Sequence, residues 1–208
     1  TGAAICVAAG MGPLHQGSDG AGSIRMPAGF CGVYGIKPNY GRIPYFPQSN
    51  SDAISHLGPL TRTVADSALM LQVMSGPDNR DVYSLSDKPD YMTHLGKGVK
   101  GLKIAWSPDL GYLPVDEEVA IPVAEAVKVF EDLGCHVDEI DPGWGDPREM
   151  ELFFWATNFA GNLGPSLEKW EDQMDAGLVA CIRDGLQFTA AEFVKMKQRR
   201  LDYYSKVQ

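Results

Sequence analysis

A chain of 208 residues can bury a sizeable core, either as one large domain or as part of one. Hydrophobic residues make up 44% and charged residues 22%, ordinary for a globular protein, and neither a membrane-spanning apolar run nor a signal peptide is visible. The formal net charge of -9 argues against nucleic acid as a partner, because phosphate recognition wants a basic patch.

Residues 2–10 are small and apolar and suit a helix that approaches a sheet closely. Pro13 to Gln16 suits a short buried strand leading into a glycine loop, Gly17 to Pro27. Pro27 to Tyr34 reads as a helical turn or short helix with proline at a favourable first position. Lys37 to Arg42 is turn-rich, and a short strand is expected near His56 to Leu60. Thr63 to Ser75 reads as an amphipathic helix with Val64, Ala68, Leu71 and Met74 on one face and Gly76-Pro77 ending it. Residues 77–101, rich in Asp, Pro and Gly, form a long surface connection.

The clearest unit follows. Leu102 to Trp106 is a strand, Asp116-Glu117-Glu118 opens a helix running to Leu133 with Gly134 placed to cap it, and Cys135 to Ile140 is a second strand. Strand, crossover helix and strand predict a parallel pair with a right-handed connection. From Pro147 the pattern is helical, broken near Gly161-Gly164-Pro165 and at Gly185. Lys195, Lys197, Arg199 and Arg200 read as a solvated helix face. Phe153, Phe154, Trp155 and Phe159 are either the lining of an acyl pocket or helix core, and helical spacing favours core.

Chemistry concentrates in the glycine loop. The four histidines show no metal-ligand spacing, and the four cysteines (Cys6, Cys31, Cys135, Cys181) form no CxxC pair, which suits reduced, mostly buried thiols in a cytoplasmic protein. A GxSxG elbow and a Walker A loop are both absent. What stands instead is Gly17-Ser18-Asp19-Gly20-Ala21-Gly22-Ser23-Ile24-Arg25-Met26-Pro27-Ala28. Gly20 and Gly22 admit positive φ and leave backbone N–H groups uncovered beside a serine hydroxyl, the arrangement that acyl transfer needs. Asp19 and Arg25 read as a pair that structures the loop.

Phe30-Cys31-Gly32-Val33, Gly35-Ile36-Lys37-Pro38, Gly41-Arg42, His56 to Asp66 and Gly76-Pro77-Asp78 extend the pattern. In this ordered set the chain resembles the amidase signature hydrolases, with motif-level similarity over residues 1–81. The resemblance implies an α/β fold, a mixed β-sheet core covered by helices on both faces, incomplete at both ends of this sequence. Residues 1–208 would then be part of a single domain, 1–81 holding the signature and 82–208 the βαβ unit and a helical portion.

It further implies a Ser–cis-Ser–Lys triad, with Ser23 on the nucleophile and the N–H groups of Gly20, Ala21, Gly22 and Ser23 on the oxyanion hole. The cis-serine and the lysine would lie before Thr1, so the isolated chain is expected to be inactive. Lys37, in the downstream Gly-Ile-Lys-Pro turn, is not that lysine. Ser18 and Ala21 depart from the family's usual threonine and glycine; the Cβ of Ala21 narrows the backbone's freedom. The implied reaction is carboxamide hydrolysis of a small-molecule substrate through an acyl-enzyme. No metal or organic cofactor is implied, no nucleic acid or membrane partner is expected, and a homodimer stays open. One alternative is the glutaminase-type subunit of a tRNA-dependent amidotransferase, although Pro44 to Asn50 and the residues after 81 do not resemble that subfamily closely. Another is a non-catalytic binding or scaffold module that keeps the loop for structure.

Overall fold

The structure, a computed structural model, describes residues 2–49 and 54–208. The expected helical start at Thr1 and the end of the 44–50 stretch lie outside the described residues. The fold is mixed α/β, built of helices and two small sheets, and the chain groups into two compact units, Thr1–Gly96 and Lys97–Gln208.

In the first unit, α1 (Gly2–Ala8) leads to β1 (Leu14–Asp19), α2 (Arg25–Cys31), β2 (Tyr34–Gly35), β3 (His56–Thr61) and α3 (Val64–Met74). The strands form an antiparallel sheet in the order β1-β3-β2, with Asp19 opposite His56 and Gly35 opposite Leu60. One face carries α1 and α2: Ala4, Val7, Ile24, Ala28 and Leu60 make a fully packed cluster. Tyr34 and Ile36 point the other way and face Ser67, Ala68 and Leu71 of α3. Helices thus cover both faces of this sheet. Gly58 lets β2 and its extension close onto β3, since a Cβ there would lie 2.1 Å from the Ile36 carbonyl oxygen.

Three local expectations change. The strand at 13–16 is longer, and it alternates between exposed and half-buried positions until Asp19, because an antiparallel edge strand covers only one face. The short helix starts two residues before Pro27, which becomes its third residue, still within the first turn where its missing N–H costs no bond. On α3, Ala68 and Leu71 are buried as expected, but Val64 is half exposed and Ser67 takes its place against the sheet. Thr63 caps this helix by accepting from the Asp66 N–H at 3.0 Å.

In the second unit β4 (Lys103–Trp106) and β5 (His136–Glu139) pair in parallel around α4 (Glu117–Asp132), the predicted βαβ arrangement. Asp116 caps α4 by accepting from Glu118 N–H at 3.0 Å, and Gly134 leaves it at φ 85°. The helical remainder comprises α5 (Arg148–Leu163), α6 (Leu167–Trp170), α7 (Ala176–Gly185) and α8 (Ala190–Val207), with breaks at Gly164 and Gly185. Phe153 and Phe154 are core, packed with Met196 and Phe193. Trp155 and Phe159 pair edge to face at 5.0 Å. Within the basic stretch, Arg199 binds Glu149 at 3.1 Å and Arg200 lies 4.8 Å over the Phe154 ring, so two of the four charges are engaged with α5.

Candidate active site

Asp19 ends β1 and is completely buried. Burial of a carboxylate is costly unless donors surround it, and here five do. Its Oδ1 accepts from Gly22 N–H at 2.7 Å and Arg25 Nη2 at 2.9 Å. Its Oδ2 accepts from Ile24 N–H at 3.1 Å, Arg25 N–H at 3.3 Å and Arg25 Nε at 2.9 Å. Burial by itself would raise the Asp19 carboxyl; the guanidinium and the three backbone N–H groups outweigh it and hold the group well below the usual carboxylate range. Asp19 is therefore an anion under all ordinary conditions, and the loop is wrapped around it.

That wrapping presents Ser23. Gly22 adopts φ 121°, a conformation that needs glycine, and its carbonyl accepts from Met26 N–H at 2.8 Å to begin the α2 spiral. Ile24, on the other side, is buried in the core. Both flanking N–H groups are bound to Asp19, so the Ser23 backbone is pinned while the residue itself is exposed. Ala21 keeps a negative φ, and its Cβ causes no backbone strain.

Of the four loop N–H groups expected to converge, Gly22's is already committed to Asp19. Among the described residues, those of Gly20, Ala21 and Ser23 donate to no protein acceptor. Sequence reasoning missed this because an aspartate three residues before a glycine can bind it in a turn or leave it free, depending on whether the aspartate is buried.

Lys37 and His56 both feel the Asp19 charge. Lys37 follows β2, donates to its neighbour's carbonyl Pro38 O at 3.4 Å, and lies in the field of Arg25 and Asp19. Burial and then Arg25 depress its ammonium below the ordinary lysine range, with Asp19 opposing. His56, opposite Asp19 in the sheet, has Nδ1 2.9 Å from Ile54 O and its ring 5.5 Å from Tyr40. Burial, then Lys37, lowers its pKa against the pull of the Ile54 and Asp19 groups. The motif His56-Leu57-Gly58-Pro59 carried the signal for this cluster, but only the β1–β3 register brings it to Asp19.

The cysteines are unpaired; Cys135 is buried and the other three are half-buried, more exposed than expected because the helices bearing them cover one side only. Burial and then Asp184 push the Cys181 thiol up, away from nucleophilic character. Among the described residues no three His, Cys, Asp or Glu side chains group as metal ligands, and no helix is long and apolar enough to cross a membrane. A cavity of 530 Å³ lies between α5, α7 and α8 of the second unit, with Phe153, Leu152 and Met196 in its lining.

The sequence model of the amidase family matches residues 1–182. The chain belongs to the amidase family. It is 43% identical to an acylamidase of Rhodococcus erythropolis over 91% of its own length and 41% of that relative's. It is 45% identical to a glutamyl-tRNA(Gln) amidotransferase subunit of Staphylococcus epidermidis, over 67% of the chain and 29% of that protein. Among solved structures it is similar to a bacterial aryl acylamidase described as an amidase signature enzyme, with TM-score 0.88 and 29% identity over 99% of this chain and 46% of that one. The chain thus spans about two fifths of the length of the acylamidase it matches.

Proposed function

We propose that the chain carries the nucleophile of an amide hydrolase, Ser23, and that the Asp19–Arg25 pair is what shapes its loop. The observation that carries this reading is the buried Asp19 carboxylate, which binds the N–H groups on either side of Ser23 and leaves the serine exposed beside uncommitted donors. The Ser23 Oγ would attack a carboxamide carbon, and the carbonyl oxygen would become an oxyanion held by the N–H groups of Gly20, Ala21 and Ser23. Collapse breaks the C–N bond, the leaving nitrogen takes a proton and departs as ammonia or an amine, and water then hydrolyses the ester on Ser23. Each oxyanion donor of this kind is worth on the order of 10²–10³ in rate.

A serine hydroxyl needs a base. The family resemblance assigns that role to a cis-serine and a lysine. Lysine serves as a base only when a dry site brings its pKa from about 10.4 toward about 7–8.

Hydrolysis of stand-alone amides is favoured over the glutaminase reading because similarity to the acylamidase runs through 91% of the chain, against 67% for the amidotransferase protein. The scattered, unpaired cysteines suit a reducing compartment, and we assign the protein to the cytoplasm on that ground. The test is to express the full-length gene and treat it with a fluorophosphonate probe. Labelling is expected in the parent and absent in Ser23→Ala; a Ser23→Ala protein that still labels would overturn the assignment.

A further inference from the structure

We infer that the slot between α3 and β2 is a ligand site, and that it takes a neutral single-ring compound carrying one hydroxyl or amino group. The slot is a cavity of 140 Å³. Tyr34, Ile36, Ala68 and Leu71 line it, and Val64 and Leu95, each about half exposed, form its rim. Its outer wall is built. Gln72 of α3 accepts at Oε1 from Tyr91 N–H at 3.1 Å and Met92 N–H at 3.3 Å. Asp90 Oδ1 accepts from Met92 N–H at 2.9 Å and Thr93 N–H at 3.1 Å, so the segment that closes the slot is folded on itself and tied to the helix.

Ser67 also lines the slot. It is 2% exposed, and among the described residues its hydroxyl has no hydrogen-bond partner. A helical serine ordinarily turns its hydroxyl onto the carbonyl four residues back. That carbonyl, Thr63 O, already accepts from Ser67 N–H at 3.2 Å and from the Thr61 hydroxyl at 2.8 Å, which occupies both of its lone pairs. An orphaned buried hydroxyl is costly, and one polar atom on a ligand would satisfy it. The size agrees: an apolar cavity of about 150 Å³ holds one benzene ring. A water bonded to Ser67 alone would lack the two to four or so partners it needs. No charged residue lines the slot, so a charged ligand would lose its hydration without return. The Ser23 loop leads into α2 on the other face of the sheet, so this site is separate from the nucleophile and does not rest on it.

The test is ligand-observed NMR titration of the full-length protein with phenol, aniline and toluene. Phenol and aniline should bind saturably. Ser67→Ala should weaken both about tenfold, because the ligand's polar atom then stays buried without a partner, and should change toluene less than about twofold. The same variant removes a hydroxyl that has no partner, so the parent's melting temperature should be kept or raised. Ser23→Ala should leave all three affinities unchanged. Absence of saturable phenol binding, the behaviour of a slot that admits only water, would overturn the inference. So would a Ser67→Ala protein that keeps the parent's affinity for phenol, or that loses the same factor on toluene.

Discussion

Replacing Asp19 by asparagine preserves the shape of the side chain and removes one acceptor. The carboxylate has two donors on Oδ1, Gly22 N–H and Arg25 Nη2, and three on Oδ2, Ile24 N–H, Arg25 N–H and Arg25 Nε. An asparagine oxygen placed on the three-donor side turns its NH₂ toward Gly22 N–H and Arg25 Nη2, donor against donor. The Arg25 side chain is 55% exposed and can turn to water, so its loss is largely screened. Gly22 is buried and its N–H has nowhere to go. An orphaned buried donor costs about 1–3 kcal/mol, and losing the charge on the remaining bonds adds about 1 more. A local loss of about 2–4 kcal/mol corresponds to amide exchange roughly 30- to 1000-fold faster. Hydrogen exchange read at the Gly22 and Ile24 amides measures this directly. If both amides keep the parent's protection in Asp19→Asn, the carboxylate is not what holds the loop, and the account of Ser23 presentation fails with it.

Gly58→Ala places a Cβ 2.1 Å from the Ile36 carbonyl oxygen, a backbone atom that cannot step aside. A cost at the upper end of about 1–3 kcal/mol is expected, with lost protection of Ile36 N–H, which bonds Pro59 O at 3.3 Å; an unchanged urea midpoint would count against the packing described. Thr189→Ala removes the hydroxyl that accepts from Glu192 N–H at 3.2 Å at the start of α8, and should lower stability by about 0.5–2 kcal/mol. Tryptophan fluorescence follows that loss, since Trp106, Trp144, Trp155 and Trp170 all lie within 97–208. The pH dependence comes from His56, whose folded pKa lies below its ordinary value of 6.5 through burial and Lys37. The unfolded chain then binds the extra proton, so its stabilisation is complete above that value and is lost as pH falls below it. His56→Gln should flatten the fall in melting temperature between pH 7 and 5, and an identical slope in the variant would refute the assignment.

The elements legible in the sequence were those set by neighbours along the chain. The βαβ unit from Leu102 to Ile140 appears as read because alternation, an acidic first turn and Gly134 are local signals, and a crossover helix allows little but a parallel pair. The glycine loop was legible as a loop, since clustered glycines admit the positive φ that Gly22 adopts at 121°. The boundaries of α2 and the exposure of Val64 were not legible, because the sheet that α3 packs on is assembled from strands some forty residues apart.

By itself, then, the sequence determined that Ser23 stands in a donor-rich loop of an amidase-family chain. Tertiary structure alone decided which donors are free. The pairing of β1 with β3 carries Asp19 to the buried end of the sheet, opposite His56, and a buried carboxylate must collect every donor within reach. It takes the N–H of Gly22 and spares those of Gly20, Ala21 and Ser23. No reading of residue order could separate four adjacent amides that differ only in whether a buried charge lies beneath them.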